Sequence, residues 1–499
     1  MFKVIFMKTI SYKVIILGLS ALLFSGCEEW LDVNRDPSFP QEAPAEVLLP
    51  PIFQEMTRGE LFDGRSFGCY VQNFANTAAN YQFDLHGYIS GSDTGGEKWR
   101  QHYWSIGKNI DLIIEDASSK SKWWYVGAAY AVRAWSWQTT TDVHGEMILK
   151  QAWEPGRYTF DYDTQEEIYA EVVRLCDLAL EYLNMDDQTN TLAKGDLVFK
   201  GNRDMWKKFV YAILARNAHH ISNKASYDPD QVISFVDQSM ASNADNFLVP
   251  HAGGVPNADG GNNNFAGPTR ANYGAFRQSL YSLNLMNGTI FTGVVDPRMA
   301  LLLQPSTDGV YRGVTNGVAA TASPASVVIP QLYGKFIFKD NAPYPLFTYW
   351  EMQFIKAEAA FIKGDVATAH TAYLNGIIAH MDYLGVAAAS RDAYVTNATA
   401  VAQTSGALTL SSIMLQKYIA MWGHGMLETW VDMRRYHYDA AIYTGFSPPN
   451  PLIATNNGKL AYRARPRFNS EYVWNVAALD KIGALALDYN TLEPWFVEP

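Results

Sequence analysis

The stretch TYWEMQFIKAEAAFIKGDVATAHTAYLNGIIAHMDYL, from Thr348 to Leu384, constrains the fold more than any other part of the chain. Trp350, Phe354, Ala357 and Phe361 recur at spacings of 4, 3 and 4, with Ile355 and Ile362 beside them, which marks the apolar stripe of a helix. Lys363-Gly364-Asp365 ends that helix: Gly supplies the C-terminal turn and Asp an N-cap for the next. The second helix places Ala369, Tyr373 and Gly376 on one face, so small residues let the backbones approach while Tyr373 fills the space between. This pattern fits a tetratricopeptide unit of about 34 residues and an ordinary antiparallel helix pair equally well. Either pair buries one face only and needs neighbours.

Further helical periods supply those neighbours. Short helices are predicted over Pro51–Gly59 and Phe67–Ala79, and longer ones over Gly95–Asp116, Trp123–Thr141, Arg203–Ser222, Pro229–Ala241 and Leu410–His437. In Gly95–Asp116, Trp99, Tyr103, Ile106 and Ile110 step by 4, 3 and 4. Thr164–Asn184 is the clearest, with Ile168, Val172, Leu175, Ala179 and Tyr182 behind a Thr164/Glu167 capping box. About residues 243–345 differ: Gly pairs, an Asn run, several Pro and scattered aromatics mark a loop-rich insertion, the usual carrier of function. A prior of about 150 residues per domain would divide 499 residues into three. No hinge composition separates independent units, so residues 51–499 are expected to form one all-α body on a tetratricopeptide-like scaffold of helix pairs.

Residues 1–26 have the plan of a secretory signal: Lys3, Lys8 and Lys13, an apolar run from Val14 to Phe24, then small residues. That run is too short for a membrane span. Met7 also opens a complete signal. Phe24-Ser25-Gly26-Cys27 resembles a bacterial lipobox, with Phe24 where Leu is usual, and implies acylation of Cys27. Acyl chains contribute about 0.8 kcal/mol per buried CH₂ toward membrane attachment. Glu28-Glu29 resemble the surface-export signal of Bacteroidetes lipoproteins. Residues 27–50, stiffened by Pro37, Pro40 and Pro44, are expected to form a tether.

The formal net charge is −11, and losing the signal removes three lysines and no acids. Such a body is a poor partner for nucleic acid. Cys69 and Cys176 lie in apolar helical contexts and are expected to be buried thiols, with a bridge between them left open. The ten His show no metal-ligand spacing, and H-E-x-x-H, P-loop and nucleophile-elbow motifs are absent, so no cofactor or metal is expected. Asn257-Ala258-Asp259-Gly260 lacks the ligand alternation and distal Glu of a calcium loop. A hydrolytic carboxylate pair, for example Asp142 with Glu146, stays open.

Several segments together resemble the SusD/RagB family of surface glycan-binding lipoproteins in the Bacteroidetes. They are EEWLDVNRDPSFP, AAYAVRAWSWQTTTDVHGEMI, FDYDTQEEIY, KGDLVFKGNRDMWKKFVYAILARNAHHIS, MQFIKAEAAF, LQKYIAMWGHGMLETWVDMRR and RFNSEYVWN, in that order. Asn469-Ser470 depart from the usual Tyr-Pro of the last element. Most of these residues read as structural: Trp206, Phe209 and Ile213 as a helix stripe, Glu358 as an acceptor at a helix crossing, Asp432, Arg435 and Glu428 as a local ion network, Arg133 as a stacked Arg. The resemblance implies binding without turnover, outward-facing attachment to the outer membrane, and delivery to a SusC-like TonB-dependent transporter. For a sugar platform of aromatics and polar contacts the candidates are Tyr81, Phe83, Tyr88 and Trp99, with Arg270, Asn272, Tyr273, Tyr311 and Tyr344 from the insertion. The alternatives are capture of peptides, or a scaffold that binds protein only, distinguished by whether exposed aromatics line a concave pocket or a flat face.

Overall fold

The computed structural model describes residues 43–78, 80, 82–88, 91, 93–253, 263–320 and 328–499. The expected signal, Cys27, the tether to residue 42 and the Asn257–Gly260 motif lie outside the described residues. In chain order the elements are α1 Ala45–Tyr70, β1 Phe74–Asn76, α2 Gly96–Arg100, a π-helical turn Gln101–Ile106, α3 Gly107–Ser119, α4 Trp123–His144, α5 Gln165–Asn184, α6 Arg203–His220, α7 Pro229–Gln238, β2 Phe247–Val249, β3 Phe276–Gln278, α8 Leu280–Met286, α9 Met299–Leu302, β4 Tyr344–Phe347, α10 Tyr349–Lys363, α11 Val366–Leu384, α12 Ala388–Val395, α13 Leu410–Met421, α14 Met426–Arg435, α15 Glu471–Trp474 and α16 Val476–Lys481.

The body is all-α. Consecutive helices pack as the pairs α4/α5, α6/α7 and α10/α11, and α5 on α6 and α7 on α10 join the pairs into one stack. The insertion leaves and re-enters between the second and third pairs without separating them. It contributes β2, β3 and the first half of β4 to two small antiparallel ladders, β1 with β3 and β2 with β4. Local chemistry accounts for the helix ends. Thr164 and Glu167 form the reciprocal capping box, and Asp365 caps α11 by accepting from Thr368 N at 3.1 Å. Gly364, at φ 87°, makes the left-handed turn between α10 and α11. A Cβ on Gly376 would sit 2.8 Å from the Phe354 ring, so that crossing requires glycine.

Three predicted boundaries are corrected. The two short helices after Pro51 are one helix, α1, which starts at Ala45 within the expected tether and runs through Pro50 and Pro51. Its buried face (Leu49, Ile52, Phe53, Met56) outweighs the two lost amide donors. It ends at Tyr70 rather than near Ala79, because Gln72 turns at φ 57° and residues 74–76 pair as β1. Leu410–His437 is two helices, broken where Gly423 adopts φ 83°.

The ion network is long-range rather than local. Asp432 and Arg435 pair within α14 at 2.6 Å, but Arg435 also reaches Glu358 of α10 at 2.7 Å and Lys417 of α13 reaches Asp432 at 2.7 Å. His220 of α6 lies 3.0 Å from Glu428 and 3.2 Å from Asp142, and Arg216 is 3.3 Å from Glu428. Glu358 accepts from Arg435 and Tyr436, the role expected of it. Arg133 lies 5.3 Å from the Trp153 ring centroid and donates to Gly107 O. Cys69 and Cys176 are free and buried. Among the described residues no helix is long and apolar enough to cross a membrane.

Candidate functional site

Three segments distant in sequence enclose a cleft of about 470 Å³. The first is α2 with the π turn, which presents Trp99, Arg100, Tyr103 and Trp104, followed by Lys108 of α3. The second is the irregular chain 148–160, with Ile148, Ala152, Trp153 and Phe160; the third is 467–471, with Arg467, Ser470 and Glu471. Tyr103 joins the first two: its hydroxyl donates to Ile148 O and accepts from Ile148 N, while Trp153 Nε1 donates to Tyr103 O at 2.8 Å. Gly107 permits this approach, since a Cβ there would overlap the Trp153 ring. Asn475 joins the second and third by bonding both N and O of Phe160 at 3.0 Å. Glu471 is turned inward, accepting from Tyr162 at 2.7 Å and from Asn475 at 3.1 Å.

The floor is therefore a rigid set of rings, with Trp99 and Tyr103 centroids 4.9 Å apart and Tyr103 and Trp153 5.8 Å apart. The rim carries Trp104. Trp104, Tyr158 and Trp474 are 74%, 83% and 72% exposed, and no other aromatic among the described residues is comparably open. One of the three lines the cleft, and the other two lie near its lining residues in sequence. Trp104 lines it directly. Tyr158 precedes the lining residue Phe160 by two. Trp474 follows the lining residues Ser470 and Glu471 by four and three. Arg100 is bonded to Glu97 and Arg467 to Asp93. Lys108 is exposed and has no ion-pair partner among the described residues. An apolar ring floor with donors at its edge can stack a flat, C–H-bearing face and bond its hydroxyl edge.

The family described as "Starch-binding associating with outer membrane", the SusD-like family, matches residues 37–465. The chain belongs to the SusD-like family. Solved SusD-like structures share the fold at low identity. A SusD/RagB family protein from Bacteroides thetaiotaomicron is 21% identical with TM-score 0.69, covering 91% of this chain and 99% of its own. A chitin-binding SusD homologue from Flavobacterium johnsoniae is 20% identical with TM-score 0.67, covering 91% and 98%. A SusD-like protein described as Bacteroidetes AC2a is 18% identical with TM-score 0.72, covering 92% and 100%. No curated protein matches in sequence.

Against this SusD-like body, the residues expected to form a sugar platform do not converge. Trp99 is in the cleft floor. Tyr273 and Tyr344 are corrected to core residues: both are buried, their hydroxyls donating to Leu61 O and His424 O. Phe83 packs edge-on against Phe276, and Tyr88 lies under Arg465 with its hydroxyl on Leu487 O. Asn272 donates to Phe265 O, Tyr311 is half-buried beside Pro305, and Arg270 lines a second cavity. Tyr81 lies outside the described residues. Sequence reasoning missed Trp104 and Trp153. Trp104 carried a signal: it lies off the apolar stripe of Trp99, Tyr103 and Ile106, a tryptophan on the solvent side of an amphipathic helix.

Proposed function

We propose that this SusD-like chain is a lipoprotein of the outer membrane, held by acylated Cys27 and facing outward, that captures glycans in the aromatic cleft. It passes them to a SusC-like TonB-dependent transporter. One observation carries the binding site: Trp104, 74% exposed, lines a concave cleft whose floor is itself aromatic. Concavity favours a glycan site over a flat protein-binding face. The family description and the chitin-binding relative support a polysaccharide-derived ligand.

Binding without turnover is supported by the carboxylates. Of the cleft's lining residues only Glu471 is an acid, and it is committed to Tyr162 and Asn475. Asp142 is buried against Tyr169 and His220, and Glu146 is paired with Arg463. Glycoside hydrolysis needs two acids flanking one bond. Isothermal titration against a panel of starch, chitin and plant-wall oligosaccharides tests the proposal. Trp104→Ala is expected to weaken the best ligand about tenfold or more, as loss of an exposed stacking Trp does at binding hot spots. Unchanged affinity in that variant would remove the cleft as the site.

A further inference from the structure

A second cavity of about 440 Å³ lies beside the first, and its character is different. Gln54, Thr57, Arg58, His251, Phe265 and Arg270 line it, so hydrogen-bonding groups replace the rings of the aromatic cleft. The two share a wall. Glu55 and Arg58 of α1 line the polar cavity, and Arg100 lines the aromatic cleft. Between them these residues and Glu97 close a ring of alternating charge. Arg58 lies 3.6 Å from Glu55 and 3.5 Å from Glu97, and Arg100 lies 2.8 Å from Glu97 and 3.6 Å from Glu55. The Arg58 side chain is 38% exposed and those of Arg100 and Glu55 25%, so the wall is a solvent-lapped ridge. Arg58 Nε is buried with no hydrogen-bond partner among the described residues.

We propose that the two cavities are subsites of one track: an oligosaccharide stacks in the aromatic cleft, crosses the charged ridge and ends in the polar cavity. The inference rests on the glycan reading of the cleft and deepens it to a class of ligand, linear oligosaccharides long enough to span the ridge. Sugar hydroxyls both donate and accept, which matches a ridge that alternates carboxylate and guanidinium. A polar cavity gives back its desolvation cost only to a ligand that bonds its groups, so the second subsite rewards hydroxyl-rich chains. Short ligands satisfy the aromatic cleft alone.

The test is calorimetry with malto-, chito- and xylo-oligosaccharides of increasing length, on wild type, Gln54→Trp, Arg58→Ala and Trp104→Ala. Gln54→Trp fills the polar cavity and Arg58→Ala removes its ridge-side donor. Both are expected to bind the shortest ligands within about twofold of wild type and to lose about tenfold on the longest, flattening the length dependence. Retained short-ligand affinity doubles as the check that each variant is folded. Trp104→Ala should weaken every length. A wild-type length profile in both polar-cavity variants overturns the track and leaves the cleft intact. No binding by wild type at any length, or no effect of Trp104→Ala, overturns the glycan reading itself and the track with it.

Discussion

Tyr273 shows how burial decides what an aromatic does. Its ring meets Phe74, Phe276 and Phe338, with centroids 5.4 to 5.8 Å away, and its hydroxyl donates to Leu61 O at 2.7 Å. Burial pushes that hydroxyl's pKa well up from the usual tyrosine range. Tyr273→Ala is expected to cost about 3–5 kcal/mol, the range for a large core ring, and Tyr273→Phe about 1 kcal/mol for the lost hydrogen bond. Urea denaturation measures both, and the folded fraction should bind glycan with wild-type affinity. The sequence window around Tyr273 resembles that of an exposed loop aromatic, because its core partners come from elements up to about two hundred residues away. Trp104, in contrast, was legible as an aromatic off its helix's stripe.

At the scale of elements, periodicity and capping were readable and their interruptions were not. α5 begins where Thr164 and Glu167 placed it, and the α10/α11 turn falls at Gly364-Asp365. Thr164→Ala should cost about 1 kcal/mol, within the range for a lost N-cap, and lower Tm in a thermal melt without altering binding. An unchanged melt would show that packing alone fixes the α5 start. What composition could not announce is the π turn at Gln101–Ile106, which sits between α2 and α3 and re-aims Tyr103 and Trp104. Nor could it announce α1 continuing through two prolines, since the packing that stabilises α1 comes from distant helices. The cleft was illegible for the same reason. Its lining is drawn from positions near 100, 150 and 470, and only the fold makes them neighbours.

For the whole molecule, the buried ion network sets how stability follows pH. Burial opposes a charged imidazole at His220, yet Glu428 and Asp142 on its two nitrogens lift it to about 9. The unfolded chain releases this proton near pH 6.5 and the folded chain near 9. The resulting stabilisation is complete below 6.5 and vanishes as pH rises to 9, on the order of 3 kcal/mol. Glu351, raised to about 7 by burial despite Arg216, and Asp63, raised to about 8 by burial, act in the same direction. Tm should fall between pH 6.5 and 9, and His220→Gln should start lower and show a shallower slope. Equal slopes would exclude the histidine as the titrating group. Removing one partner of such a network is expected to cost about 3–5 kcal/mol, because the remaining charge stays buried.

Asn475 clamps Phe160 across more than three hundred residues of intervening chain. A ribosome makes the Trp99–Trp104 wall of the cleft first and this clasp only after the helix pairs are complete. A molecule cut after α14 therefore owns most of its helical stack but no finished groove. Cleavage between α14 and Asn475 would thus silence capture while leaving the bulk of the protein standing.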